Sequence, residues 1–341
     1  MNNIEILDCT LRDGGYVNDW SFSFSGIKDI IANLGESGID YAECGFFKPV
    51  KYDKEKSIFS SISQLKSILS DLKIGNTKFS LMINFGEYDI NEIPDSTDSD
   101  IIFRVVFNKA DKENALDYCK KLKEKGYKIF INPKSSNKYT NIELSELIKE
   151  VNRINPEGFT IVDTTSSMKE DEVVKIYTLT NKILNKNIKL CFHFHNSLQL
   201  AFANALSLIK ISEDRPVIID STVLGIGRGG GNLCTEIITD YINQNSEKKF
   251  NITPLVKIAD KYINPIFCKK HWGYSIPYFL SASNACHPNY AKYFIENNIP
   301  EEKMDDLFKK IPPEQKPCFN ESVAKSVLNK YHQDIIPTVK S

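Results

Sequence analysis

Two short stretches of this sequence carry side chains suited to holding a divalent cation. Residues 190–196 read LCFHFHN, so His193 and His195 alternate with Phe192 and Phe194. In a strand, successive side chains point to opposite faces, which puts both imidazoles on one side with Cα atoms about 7 Å apart. Residues 6–20 read ILDCTLRDGGYVNDW, setting Arg12 and Asp13 just after an apolar run. Two neutral imidazoles and one carboxylate make a facial triad that binds a divalent ion and leaves positions open for substrate and water. Asp13 is the carboxylate that best completes it, and Gly14 and Gly15 read as a close turn beside it. Taken alone, an H-x-H pair is more often two satisfied core or surface histidines, and a structural ion pair with Asp8 or Glu43 is the lesser reading of Arg12. The elements that carry these residues must therefore be considered.

Eight β-rich runs alternate with segments of helical period: 4–8, 41–46, 79–84, 101–107, 127–133, 159–163, 188–195 and 217–223. Between them, 23–38 places Ile27, Ile30, Ile31 and Leu34 on one face, and 141–154 and 197–211 repeat the pattern. Eight strands with interposed helices in about 240 residues match an α/β fold of the (β/α)8 TIM-barrel type, and no phosphate-binding glycine loop follows the first strand. The remaining residues are helical in period. The reading is a barrel over 1–248 and a helical C-terminal extension over 249–341, with the break in the polar stretch NSEKKFNITP.

In such a barrel the site is assembled at the C-terminal ends of the strands. Those ends offer Asp8, Arg12, Asp13, Glu43, Asn84, Arg104, Asn132, Asp163, Thr164, His193, His195 and Asp220. Burying a charge costs several kcal/mol unless it is paired or bound to a metal, so this concentration points to chemistry. Asp8, Glu43, Arg104, Thr164 and, in the glycine-rich loop, Arg228 are the candidate substrate-binding residues.

The bulk composition is that of an ordinary globular protein, 41% hydrophobic and 26% charged. With 43 basic and 44 acidic residues, the net charge of -1 implies no global attraction to nucleic acid or anionic lipid. The eight cysteines are widely spaced without a C-x-x-C pair, which is reduced usage. The opening segment lacks a basic stretch followed by an apolar one, and no run of about 18 apolar residues occurs. The expectation is a soluble, cytoplasmic protein acting on a small molecule, without nucleic acid or membrane partners.

The motifs LDCTLRDGG (7–15), HFHNSLQLAFANAL (193–206) and DSTVLGIGRGGGNLCTE (220–236), in this order and spacing, resemble those of the DRE-TIM metallolyase superfamily. That superfamily includes 4-hydroxy-2-oxovalerate aldolases, 3-hydroxy-3-methylglutaryl-CoA lyase and 2-isopropylmalate synthases. The resemblance implies that Asp13, His193 and His195 ligate Mn²⁺ or Mg²⁺, that Asn232 adds a direct or water-mediated contact, and that Arg12 stabilises an enolate. It implies a carbon-carbon lyase that forms or cleaves a 4-hydroxy-2-oxo acid through a metal-bound pyruvate enolate, with an aldehyde as the other substrate. A Claisen-type acyl-CoA enzyme of the same superfamily is the alternative, and a non-catalytic barrel that binds a partner is a third reading. The related aldolases dock an aldehyde dehydrogenase through a C-terminal helical domain, so the resemblance allows such a partner here, and a homo-oligomer is expected.

The pattern departs from those aldolases at Tyr16, where they keep a catalytic histidine. Tyrosine, with a reference pKa near 10, would need a lowered pKa to act as a base. Gly273-Tyr274 matches a pair that brings a phenol to the aldolase mouth, which makes Tyr274 a second catalytic candidate beside Arg12 and Tyr16; helix packing is its other reading. His271 and His287 lie in the same region and offer a replacement imidazole, although a histidine before Pro288 also reads as a cap.

Overall fold

A computed structural model describes residues 3–96, 100–212 and 215–335. The eight expected strands are all present: β1 (Ile4–Asp8), β2 (Tyr41–Phe47), β4 (Lys78–Asn84), β5 (Ile101–Phe107), β6 (Lys128–Pro133), β7 (Gly158–Asp163), β8 (Lys189–Phe194) and β9 (Val217–Ser221). A two-residue strand, β3 (Ile58–Phe59), adds to the outer edge of β2. It is too short to leave a periodic signal in sequence. Every ladder is parallel, and pairing of β1 with both β9 and β2 closes the sheet into a (β/α)8 barrel.

The flanking helices follow from local sequence. Phe24–Glu36 buries Ile27, Ile30, Ile31 and Leu34, and Ser23 caps it by accepting from Gly26 N–H at 3.1 Å. Asn141–Ile154 starts from a capping box made by Thr140 and Glu143 and stops at Asn155 in the left-handed region. The helix expected over 197–211 begins only at Ala201. The Asn196 side chain accepts from Ala201 N–H at 3.1 Å, and Gln199 has φ of 60°, so a turn precedes the helix.

Inside the barrel, Leu7, Tyr41, Ile102, Phe130, Cys191 and Ile218 form an apolar floor. Two residues further along five of these strands lie Glu43, Arg104, Asn132, His193 and Asp220, all buried. The period of two thus stacks a polar layer directly on the apolar floor.

The main apolar core continues past the last strand through Leu255, Ile258 and Ile263, which pack with the helix Phe24–Glu36. A separate apolar cluster holds Cys286 together with Tyr290, Phe294, Met304, Leu307, Phe308 and Leu328 from the helices Pro288–Glu296, Glu301–Lys310 and Glu321–Ile335. This helical unit is tied to the face of the barrel where the strands end: Trp272 donates to Leu224 O at 3.2 Å and Gly273 N–H to Gly229 O at 3.0 Å. None of the described helices is long and apolar enough to cross a membrane.

Arg215, fully buried before β9, donates to the carbonyls of Leu184, Asn185 and Ile188 and to Asn181 Oδ1, at 2.5 to 2.8 Å. It holds the connection into β8 against the entry to β9. Arg215→Met leaves these acceptors unsatisfied and is expected to lower stability by about 3 kcal/mol, read from the denaturant midpoint at unchanged slope.

Candidate functional site

Asp13, His193 and His195 converge at the strand ends, with one ligand atom of each within 4.8 Å of the others. The Arg-Asp-Gly-Gly stretch that supplies Asp13 is helical rather than a glycine turn: Thr10–Asp13 and Gly15–Asn18 are short helices, and Gly14 has φ of -59°. The glycines serve close approach instead. A Cβ on Gly14 would lie 2.4 Å from Thr10 O, and one on Gly15 would lie 2.0 Å from the Trp20 ring. Trp20 in turn donates to Arg12 O at 2.8 Å, fixing the segment against the barrel mouth.

The two imidazoles are oriented by their outer nitrogens. His195 Nδ1 lies 2.8 Å from Asp163 O. A carbonyl only accepts, so Nδ1 carries the proton and Nε2 keeps its lone pair. Burial, then His193, lowers the pKa of His195 to about 3, so the ring is neutral at ordinary pH. His193 Nδ1 lies 3.0 Å from Asp220 Oδ2, which the ladder between β8 and β9 brings alongside. The Nε2 atoms of His193 and His195 face Asp13 Oδ2 at 3.5 and 4.0 Å. Burial opposes ionisation of Asp13, but Arg12 and the histidines outweigh it and hold its pKa well below the usual range. Three lone-pair donors aimed at one point, with their remaining atoms tied by Asp220 and a carbonyl, fit a divalent cation. Burial opposes protonation of His193, but Asp13 and Asp220 outweigh it and raise its pKa above the ordinary value.

Around this point runs a closed circuit of buried ion pairs. Arg12 Nη1 meets Asp13 Oδ1 at 2.9 Å and Arg12 Nε meets Glu43 Oε2 at 2.6 Å. Arg104 bridges Glu43 Oε1 at 3.3 Å and Asp220 Oδ2 at 2.5 Å, and Asp220 returns to His193. Three carboxylates against two guanidiniums leave one negative charge in excess, which a bound cation would offset.

The remaining sequence candidates separate into two groups. Arg104, Thr164, Tyr16 and Arg228 line a cavity of about 500 Å³ above the Asp-His-His group, together with Arg12, Asp13, His193 and His195. Thr164 also accepts from Ser135 N–H at 2.8 Å. Glu43 lies below the cavity lining, between the two arginines. Asp8 is deeper still, accepting from Thr10 N–H and Thr235 Oγ1, and burial raises its pKa to about 6. Asn232 Nδ2 donates to Asp13 Oδ2 at 2.8 Å and to Ile226 O at 3.0 Å, while its buried Oδ1 has no partner. Only Oδ1 is left for a further contact. The structure does not bring Tyr274 to the cavity: it is 56% exposed and packs near Phe279.

Tyr16 is 39% exposed at the cavity rim, its ring edge-on to Trp20 and Phe46. The protein crowded around it raises the phenol pKa against the pull of Arg228 and Arg12. That direction is opposite to the lowering that a base would need.

Sequence reasoning did not single out Lys134, Asn108, Asn289 and Phe319, which also line the cavity. Lys134 follows the end of β6 directly, a position the strand-end rule could have flagged. Asn289 and Phe319 come from the helical extension, whose docking leaves no local signal. His287 comes from there too, and it is both a cap and a cavity residue: its Nδ1 accepts from Asn289 N–H at 3.2 Å.

A closed parallel barrel with a buried carboxylate-imidazole-imidazole group at its strand ends is the architecture of a metal-dependent (β/α)8 enzyme. The chain belongs to the HMGL-like family, whose family model matches residues 3–261, and so to the DRE-TIM superfamily of lyases and aldolases. It is similar to the 4-hydroxy-2-oxovalerate aldolase of Geobacillus genomosp. 3, 22% identical over 77% of both chains. It is also similar to the homocitrate synthase of Pyrococcus abyssi, 24% identical over 75% of this chain and 70% of that one. Among solved structures, it resembles the N-terminal domain of an aldolase candidate from Bacteroides vulgatus, with a TM-score of 0.71, 26% identity, and coverage of 85% of this chain and 96% of that one.

If Asp220 fixes the tautomer of His193, Asp220→Asn should weaken Mn²⁺ binding about 10- to 100-fold, measured by electron paramagnetic resonance of free Mn²⁺. His195→Ala should remove binding over the same concentration range.

Proposed function

We propose that this protein is a divalent-metal-dependent aldolase that joins pyruvate, or a related 2-oxo acid, to an aldehyde, or cleaves the resulting 4-hydroxy-2-oxo acid. The observation that carries the reading is Arg12, clamped between Glu43 and Asp13 in the cavity wall beside the Asp-His-His group. Asp13, His193 and His195 would hold Mn²⁺ or Mg²⁺, with Asn232 steadying Asp13. When bound, such an ion supplies Lewis-acid polarisation of the substrate carbonyl.

The chain's own groups account for the rest. Arg12 uses Nε on Glu43 and Nη1 on Asp13, and Nη2 has no partner among the described residues. Because the guanidinium is held from two sides, Nη2 can donate to the enolate oxygen without reorganising, and preorganised donors of this type contribute about 3 to 4 kcal/mol. Thr164 and Arg104 line the same cavity and can orient the 2-oxo acid carboxylate. His287 accepts at Nδ1, so its neutral ring has Nε2–H left to offer. Burial, with Arg228 and Lys134 nearby, holds its pKa well below the ordinary value. A neutral donor on the wall contributed by the extension can stabilise the aldehyde oxygen as the carbon-carbon bond forms, taking the place of the histidine that Tyr16 replaces. The same extension is the candidate surface for an aldehyde dehydrogenase partner.

The reading predicts Mn²⁺-dependent exchange of the pyruvate C3 protons with D₂O, followed by NMR, and its absence would reject the proposal. Arg12→Met should slow the exchange about 10²- to 10³-fold. No free thiol is expected from acetyl-CoA with a 2-oxo acid, the outcome that would mark Claisen chemistry. His287→Ala should slow cleavage of a 4-hydroxy-2-oxo acid about 100-fold in kcat, and more strongly than it slows C3 exchange.

A further inference from the structure

Two cations on the cavity wall make no ion pair among the described residues. Arg12 and Arg104 are each matched to carboxylates, whereas neither Arg228 nor Lys134 has an ion-pair or side-chain hydrogen-bond partner among the described residues. The Arg228 guanidinium carbon lies 4.6 Å from the centroid of the Tyr16 ring, and its Nε is buried without a partner. Lys134, held at the end of β6 by its backbone N–H on Phe107 O at 2.9 Å, has its pKa lowered first by burial and then by Arg228. Both cations line the same cavity. Asp111, the carboxylate on the neighbouring wall, takes Asn108 Nδ2 at 3.3 Å and pairs with neither. Asn108, Asn289 and His287 add neutral polar groups to the same part of the cavity.

Half-buried like charges without a counterion are unfavourable unless a ligand brings the opposite charge. Arg12, beside the Asp-His-His group, is already placed to meet the 2-oxo acid end of a substrate. We propose that Lys134 and Arg228 bind a second anionic group, a carboxylate or a phosphate, carried by the aldehyde partner. The substrate class is then an acidic aldehyde, and the corresponding 4-hydroxy-2-oxo acid bears an anion at each end. Tyr16 has a positioning role in this arrangement: its ring supports the Arg228 guanidinium by a cation-π contact. This inference rests on the aldolase reading for the identity of the substrate, but the anion subsite has a separate test.

With Mn²⁺ present, the full chain is assayed for addition of pyruvate to glyceraldehyde 3-phosphate, succinic semialdehyde and butanal. At least one anionic acceptor should exceed butanal in kcat/KM by about 100-fold or more, and the better of the two identifies the anion. Arg228→Met and Lys134→Met should each cut that anionic-to-neutral ratio about tenfold or more, with Arg228→Lys restoring part of it. The ratio does not depend on the fraction of protein folded. Equal or better use of butanal, or ratios unmoved by these substitutions, would overturn the proposal. If the wild-type protein exchanges the C3 protons of pyruvate while butanal is preferred, the acidic-aldehyde inference fails alone and the aldolase reading stands. If no exchange occurs, the aldolase reading fails, and calorimetry with inorganic phosphate and with succinate decides the subsite. Binding to the wild type that weakens about tenfold in both methionine variants supports it. No binding, or equal binding in all three proteins, overturns it.

Discussion

The circuit of buried charges through Asp13, Arg12, Glu43, Arg104, Asp220 and His193 is the constraint on which the site depends. Each member comes from a different strand or from the segment after β1, and each would be costly to bury alone. Removing one guanidinium would leave its carboxylate partners uncompensated in a closed barrel, where an unpaired charge costs several kcal/mol. The circuit therefore couples the packing of the barrel's polar layer to the orientation of the proposed metal ligands. Its one excess negative charge is one that a cation held by the Asp-His-His group would offset.

The glycine-rich loop after β9 completes this arrangement from above. Asn196 N–H donates to Gly231 O at 2.8 Å, joining the loop to the end of β8. Gly227 lies so close to Asn232 that an added Cβ would fall 2.2 Å from its Nδ2. The absence of a side chain there lets Asn232 reach Asp13, so the loop positions a carboxylate that belongs to a segment more than 200 residues earlier. The same loop carries Arg228 over Tyr16, linking the Asp-His-His end of the cavity to its outer wall.

Polarity along the cavity follows from which elements supply its walls. The inner end is made by β strands and is nearly charge-balanced. The outer end, built from the β6 connection, the glycine-rich loop and the helical extension, carries an excess of positive charge through Lys134 and Arg228. Ser135 Oγ donates to Pro317 O at 3.3 Å, one of the contacts that seat the extension over this end. The extension thus forms part of the cavity as well as a helical unit with its own apolar cluster.

The sequence by itself determined the barrel, because parallel strands buried on both faces leave contiguous β-rich runs and the intervening helices leave a 3.6-residue period. It also determined Asp13, His193 and His195 as candidate ligands, since alternation within one strand puts two imidazoles on the same face. It could not determine that Gly14 and Gly15 lie in helical turns, because glycine is compatible with either geometry and the neighbours that forbid a side chain, Ile226 and Trp20, arrive through folding. Nor could it show that Asp220, rather than a backbone group, orients His193, which follows from the pairing register of β8 and β9. Tertiary structure alone decided that His287 and Asn289 reach the cavity while Tyr274 does not, and that Lys134 and Arg228 line the same cavity without an ion-pair partner among the described residues. Those facts depend on how helices dock across the barrel mouth, and docking is set by long-range packing that no local period or spacing records.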